Sequence, residues 1–530
     1  MKHFNVTFKP DGRQVSIHEG ATLLEATGQI GITLNTVCGG KGTCGKCVVN
    51  IEPSGRQVLA CQYHIHSDLT VTIPSSSRLF EQKILADGIE TKTTFQPDIY
   101  KKYRQNDSAD KILGLAVDIG TTTVVAKLIS MTDGQCLATE AMLNPQTRFG
   151  DDVISRISYG ETDEKLAELQ KVIINCINGL IIKLCNQTGT NPNQIYEVTV
   201  VGNTTMNHIF LKLPIKQLGQ APYKAFSVDA YDLSAGELAL QINPAGNIHT
   251  VENIAGFVGS DTTAVALAVD MNSTDEMTLT VDIGTNGELV LGTKDKLYSA
   301  SCAAGPALEG ARISCGSRAT EGAIEAVVLN EDDIGLDVIG NCQPHSLCGS
   351  GLIDAVAVML DLGILDSTGR FVESKQLQDK LPPKILSRVT ETDGQSAFCL
   401  YRAANIGEKD LFLTQKDIRE LQLAKAAIRA GIKLLQKKIG LKDNDIKQIL
   451  LAGAFGNYIR RSNAIRIGLL PDIEHEHIRY VGNAACSGAR MILLNSHWRK
   501  QARELARKIE YVEIAHDPDF TDIYSDSMLF

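Results

Sequence analysis

The stretch Leu113–Leu128, LGLAVDIGTTTVVAKL, returns in a second version at Thr278–Gly292, TLTVDIGTNGELVLG. In each copy an apolar strand ends on an aspartate, Asp118 or Asp282, turns through a glycine-led tip and runs back as a second strand. The tips are Gly120-Thr121-Thr122-Thr123 and Gly284-Thr285-Asn286-Gly287. A tight tip of this composition aims backbone N–H groups and hydroxyls at a phosphate. The aspartate ahead of it suits a hydrated Mg2+ ion. One such hairpin is an ordinary turn; two copies in matching surroundings are a duplication.

The surroundings do match. VTVVGNTTMNHIF (198–210) and QILLAGAFGNYI (448–459) each read as strand, glycine turn, helix. NIAGFVGSDTTAVALA (253–268) and YVGNAACSGARMILL (480–494) each read as a glycine turn entering a helix of small residues. The element order holds over roughly 112–270 and 275–495. Two such α/β halves facing each other make a cleft, and the two tips can clamp a triphosphate within it. The turn Gly453-Ala454-Phe455-Gly456 offers flat, close access for the adenosine. Asp118 and Asp282 are the expected catalytic positioners of metal or water. Glu288 and Glu309 are conceivable bases, though a surface or structural role is favoured for both.

Ahead of this duplication lies CGGKGTCGKCVVNIEPSGRQVLAC (38–61), with Cys38, Cys44, Cys47 and Cys61 spaced C-x5-C-x2-C-x13-C. Three thiolates on one glycine-rich loop and a fourth a short strand away can wrap a [2Fe–2S] cluster. Before the loop, HFNVTFKP and RQVSIHEG alternate like two strands around Pro10-Asp11-Gly12, a hairpin signal. Then come a short helix, the loop, a strand and a last strand at LTVTIP. That is the order of a β-grasp ferredoxin. A zinc site normally offers paired C-x2-C knuckles or histidines, which this loop lacks. The x13 gap makes Cys61 the least typical of the four ligands. The other nine cysteines lie mostly in apolar or small-residue stretches and read as buried reduced thiols.

The chain has 530 residues, enough for several domains. The reading divides it into a cluster domain over 1–78, a polar linker over 79–111, a first half over 112–270 and a second over 271–530. A net charge of −10 without a basic, aromatic-interleaved patch argues against nucleic acid. No apolar run reaches the ~18 residues of a membrane span. The start, MKHFNVTFKP, lacks a signal peptide's apolar core, so a cytoplasmic protein is expected. TQKDIRELQLAKAAIRAGIKLLQKKIG (414–440) reads as a long amphipathic helix with Thr414 and Asp417 at its N-cap and Gly440 at its C-cap. SCAAGPALEGARISCGS (301–317) reads as a loop lining the cleft.

The duplicated motifs resemble the superfamily of actin, hexokinase and the heat-shock chaperone ATPases. Asp118–Thr123 looks like its first phosphate motif, Asp282–Gly287 like the second and Leu451–Gly456 like the adenosine motif. Joined to a ferredoxin domain, the whole chain resembles one family, the reductive activators of corrinoid proteins. The marks are the four cysteines, DIGTTT, VDIGTNGEL, AAGPALEG, TQKDIRELQLAKAAIRAG, LAGAFGNYI and the closing DPDFTDIYSDSMLF. The resemblance implies a multidomain α/β protein that uses a [2Fe–2S] cluster, ATP and Mg2+. Its implied activity is returning one electron to Co(II) of a corrinoid protein in a methyltransferase or demethylase system. A low-potential electron donor and a homodimer are implied with it. Three alternatives stay open: an ATP-driven activator of another low-potential enzyme, a small-molecule kinase with a regulatory cluster, and a non-enzymatic electron-transfer module in which the ATPase half is only scaffold.

Overall fold

The computed structural model describes residues 2–9, 12–30, 34, 42, 47–74, 77, 112–150, 152–403, 409–453 and 459–530. The expected linker over 79–111, two of the expected cluster ligands, Cys38 and Cys44, and three residues of the adenosine turn, Ala454, Phe455 and Gly456, lie outside the described residues.

The first five strands are β1 (His3–Lys9), β2 (Arg13–His18), β3 (Val48–Glu52), β4 (Arg56–Leu59) and β5 (Leu69–Thr72), with helix α1 (Leu23–Gln29) between β2 and β3. They form one sheet in the order β2-β1-β5-β3-β4, with β1 and β5 parallel. This is the β-grasp arrangement. Alternation along β1 turns Val6 and Phe8 inward, where they meet Leu23 and Ala26 of α1. A capping box starts α1: Glu25 N–H donates to Thr22 Oγ1 at 3.1 Å and Thr22 N–H to Glu25 Oε2 at 2.7 Å. One feature differs from the sequence reading. The segment between Cys47 and Cys61 is a hairpin of two strands, β3 and β4, rather than a single strand.

The first half contributes β6 (Leu113–Ile119), β7 (Thr123–Ser130), β8 (Cys136–Leu143), β9 (Ile195–Gly202), β10 (Asp232–Ser234) and β11 (Asn247–Thr250). The second contributes β12 (Thr278–Ile283), β13 (Gly287–Gly292) and β14 (Leu297–Cys302). Two small three-stranded sheets follow. One is built from β15 (Ala323–Leu329), β16 (Ile334–Val338) and β17 (Ser346–Leu347), the other from β18 (Val389–Thr392), β19 (Gln395–Tyr401) and β20 (Leu411–Thr414). The second half then returns with β21 (Gln448–Ala452), β22 (Ile478–Gly482) and β23 (Ile509–Tyr511).

The two large sheets share one topology. β8-β7-β6-β9-β11 in the first half corresponds to β14-β13-β12-β21-β22 in the second. In both, the first three strands are antiparallel and the last two join in parallel. A long helix links the third and fourth strands of each: α2 (Asp163–Thr188) and, after two shorter helices α3 (Thr204–Leu211) and α4 (Ser260–Ala268), α5 (Gln415–Ile439). Helix α5 is capped as its sequence predicts, Thr414 accepting from Asp417 N–H and Gly440 closing it in a left-handed conformation. Its stripe Leu421, Ala424, Ile428, Ile432 and Leu435 is buried.

Helix α4 and its counterpart α6 (Ala484–Leu494) pack against one another between the two sheets. They cross so closely that a Cβ on Gly488 would lie 2.1 Å from the Ala264 carbonyl oxygen. The small-residue composition of both helices permits this approach. Helix α7 (Ser496–Lys508) then reaches the first half, where Arg499 Nη2 meets Glu197 Oε1 at 2.5 Å and Arg503 Nε meets Glu252 Oε1 at 2.8 Å. Among the described residues no helix is long and apolar enough to cross a membrane.

Candidate functional site

The two hairpin tips face each other. Gly120 N–H closes the first tip onto Thr123 O at 2.9 Å, and a Cβ on Gly120 would sit 2.8 Å from that same oxygen. Gly284 N–H closes the second onto Asn286 O at 3.0 Å. Gly287 starts β13 against Ile428 of α5, where a Cβ would meet Cγ1 at 2.9 Å. The hydroxyls of Thr122 and Thr285 are 3.1 Å apart across the cleft. Thr285 donates its proton to Glu309 Oε1 at 2.6 Å, so Thr122 is the donor to Thr285. The loop carrying Glu309 therefore lines the cleft, as expected.

The first tip is braced by four hydrogen bonds. Asn144 Nδ2 donates to Gly120 O at 2.8 Å, and Asn144 N–H to Thr122 O at 2.8 Å. Arg156, fully buried, donates from Nη2 to Thr121 O. Asn203 Nδ2 donates to Thr121 Oγ1 at 2.9 Å. Asn203 and Asn483 are both helix N-caps, accepting from Met206 N–H and Cys486 N–H. Each has an amide nitrogen left over, and each directs it to the first hairpin, Asn483 to Asp118 Oδ2 at 3.1 Å. An aspartate would cap as well but, when ionised, has no proton to donate.

Asp118 and Asp282, placed at corresponding strand ends, are brought together with two acids from elsewhere. Asp261 comes from the first turn of α4 and Glu288 from β13. All four are enclosed by protein yet keep partial solvent access from the cleft. Burial raises Asp118 to about 7, with the Asp261 charge adding to the rise and the Asn483 bond opposing it. Burial, then Asp261 and Asp118, raises Asp282 to about 8. Burial raises Asp261 to about 6 against hydrogen bonds from Thr262. Burial, Asp261 and Asp282 push Glu288 well above the usual carboxylate range. Four hard oxygen donors that repel one another have the chemistry that suits a divalent cation of the Mg2+ type. Glu288 corrects the surface reading: it is enclosed within this cluster. It stands directly opposite Asp282 in the β12–β13 register, so both side chains share one face.

Gly453 follows β21 with a φ of +86°, where a Cβ would lie 2.5 Å from Asp282 Oδ1. Only glycine accepts that backbone and that contact.

At the other end of the molecule, Cys47 Sγ and Cys61 Sγ are 3.3 Å apart and buried. The β3–β4 hairpin explains the spacing. Val48 pairs with Leu59, and Ala60 N–H donates to Cys47 O at 2.9 Å, so 13 intervening residues fold back and set the two thiols side by side. Two thiols converging without a disulfide have the chemistry and spacing that suit one iron of a cluster. Arg13 on β2 ties this domain to the second half. It donates to Ile30 O at 2.8 Å and to the Leu336 carbonyl, with Asp337 Oδ1 3.6 Å away on β16.

A β-grasp domain with paired thiols, followed by two facing halves of actin-like topology, defines the class: an iron–sulfur protein carrying an ASKHA-type nucleotide-binding fold. Residues 4–76 match the model of the 2Fe-2S iron-sulfur cluster binding domain, residues 113–274 that of the RACo middle region and residues 276–530 that of the C-terminal domain of RACo, the ASKHA domain. The corrinoid activation enzyme RamQ of Eubacterium limosum is 35% identical, the alignment covering 98% of this chain and 97% of RamQ. The [Co(II) methylated amine-specific corrinoid protein] reductase of Methanosarcina barkeri is 25% identical, covering 78% and 76%. The solved structure of a reductive activator for corrinoid, iron-sulfur protein superposes with a TM-score of 0.73 at 32% identity, covering 99% of this chain and 98% of that one. The chain belongs to the family of reductive activators of corrinoid proteins.

Proposed function

We propose that this protein uses ATP to drive one-electron reduction of Co(II) to Co(I) in the corrinoid protein of a methyltransferase or demethylase system. The observation that carries the reading is the presence, in one chain matched end to end by RamQ, of a cluster-type thiol pair and a two-tipped acidic cleft. Cys38, Cys44, Cys47 and Cys61 are the ligands of a [2Fe–2S] cluster, whose chemistry when bound is to take up and release a single electron. Gly120–Thr123 and Gly284–Gly287 bind the triphosphate from opposite halves, and the turn 453–456 takes the adenosine. Asp118, Asp261, Asp282 and Glu288 hold Mg2+, with Asn483 orienting Asp118. The same reading divides the chain near residues 78, 111 and 270, places its work in the cytoplasm, and calls for a low-potential donor and a homodimer.

ATP has a physical reason to be there. Plant-type [2Fe–2S] centres lie near roughly −400 mV. A Co(II) centre with an axial base is harder to reduce, and each ~59 mV of gap is a factor of ten against the transfer. Nucleotide can offset that gap only by binding one arrangement of the two halves better than another. A cleft with phosphate-binding tips on both halves has this property.

The test is a visible-absorbance titration of the anaerobic protein with a reduced donor, a Co(II) corrinoid protein and ATP. A Co(I) band that grows only with ATP, and is absent from Cys47→Ser, is the expected outcome. Equal Co(I) formation without nucleotide would overturn the ATP assignment.

A further inference from the structure

Gln62 follows the fourth cysteine and has no place in the cluster-binding pattern. Its side chain nevertheless lies against both the thiol and the loop. Gln62 Nε2 is 3.7 Å from Cys61 Sγ and 3.1 Å from Cys61 O. A carbonyl oxygen only accepts, so the nitrogen end of the amide faces Cys61 and its orientation is settled. The stem of the side chain packs against Gly42: a Cβ there would lie 2.8 Å from Gln62 Cγ and 3.0 Å from Cδ.

The backbone around Cys61 is otherwise committed. Ala60 N–H donates to Cys47 O at 2.9 Å, and the N–H groups of Gln62 and Tyr63 both donate to Leu59 O at 3.0 Å. In an iron–sulfur protein, N–H groups aimed at the sulfurs are a main determinant of potential. Here three neighbouring backbone donors are spent on holding the hairpin.

We infer that Gln62 is a positioning residue for the cluster, its side-chain amide supplying Cys61 with the sulfur-directed hydrogen bond that the committed backbone donors do not. The inference rests on the cluster assignment made above. Reduction adds one negative charge to the cluster, so an N–H donor on a ligand sulfur favours the reduced form. Removing it makes the centre a stronger reductant that is harder to load. Gln62 is exposed, and water can replace part of its effect. The expected change is therefore modest: about a threefold fall in the reduced-to-oxidised ratio at a fixed ambient potential, or ~30 mV on a scale of ~59 mV per decade.

The experiment is a redox titration of full-length, cluster-loaded Gln62→Leu beside the unaltered protein, with iron and sulfide content measured on both. A midpoint lowered by about that amount at equal cluster content supports the inference. An unchanged or raised midpoint at equal content overturns it. If Gln62→Leu fails to hold a cluster, the unaltered protein decides. Labelled with 15N in glutamine side chains and reduced, it should show a nitrogen coupling to the cluster by pulsed electron paramagnetic resonance, lost in Gln62→Asn. No such coupling overturns the inference. Neither measurement involves a corrinoid. A cluster that titrates as expected while no Co(I) forms would fault the proposed function and leave the role of Gln62 standing.

Discussion

Replacing Asp118 by asparagine should stabilise the nucleotide-free protein at alkaline pH while abolishing ATP-dependent activation. The reasoning starts from the raised titration of Asp118, from 3.8 to about 7, caused first by burial and then by Asp261. The unfolded chain ionises this carboxyl freely above pH 4, whereas the native cleft resists. The unfolded state therefore binds fewer protons than the native state between about pH 4 and pH 7, and stability falls as pH rises through that window. A displacement of this size corresponds to about 4 kcal/mol at about 1.4 kcal/mol per pH unit. Solvent in the cleft reaches the carboxylate, and about 2 kcal/mol is a working figure. In Asp118→Asn the neutral amide fits the same space and its oxygen can still accept from Asn483. The variant should then be more stable than the parent by about 2 kcal/mol at pH 8, with the gap closing towards pH 5. Urea unfolding can be followed through the single tryptophan, Trp498, which packs against the core cluster that holds the crossing helices. Mg2+ added to the parent should reduce the same pH dependence by supplying the missing positive charge. A variant less stable than the parent at pH 8, or a parent indifferent to pH across this window, would refute the reasoning.

Thr285→Val removes the hydroxyl that accepts from Thr122 and donates to Glu309; nucleotide affinity measured by calorimetry should fall about tenfold, or ~1.4 kcal/mol, with the visible cluster spectrum unchanged. Gly488→Val forces a side chain into the Ala264 backbone where the two central helices cross, and should cost about 3 kcal/mol in thermal unfolding, accompanied by loss of activation. Gly179→Ala is the matched control: nothing lies within 4 Å of its added Cβ in the middle of α2, so stability should rise by about 0.5–1 kcal/mol.

The duplicated hairpins were legible because their chemistry is local. Glycine and threonine at a tight tip, with an aspartate ahead of it, are contained in six consecutive residues. Asp261, Asn203 and Asn483 were not legible, because each sits on a different helix start and acquires its role only when three elements converge. Their sequence signal, a polar residue at a glycine turn entering a helix, is the same as that of an ordinary cap. Glu288 was within reach: pairing β12 with β13 from the Asp282 end puts it opposite Asp282 without any tertiary information. The spacing to Cys61 has a different explanation. A count of 13 residues looks short against other ferredoxins, but a hairpin consumes length without gaining distance, and returns the chain to its start.

The placement of charge also gives the cleft a mechanical direction. Asp118 belongs to the first half, Asp282 and Glu288 to the second, and Asp261 to the helix that crosses between them. Like charges on opposing walls push the halves apart, and a cation held between them reverses the sign. On a different set of elements, Arg499 with Glu197 and Arg503 with Glu252 pin α7 of the second half to the first. Glu197 is wholly buried, so separating it from Arg499 would strand a charge at a cost of several kcal/mol. The α7 side of the contact is thus firmly held. The two halves meet where α4 crosses α6, and Gly488 lets the Ala264 backbone approach closely there. The cluster domain is attached to β16 of the second half through Arg13, so a nucleotide that altered the angle between the halves would carry it along.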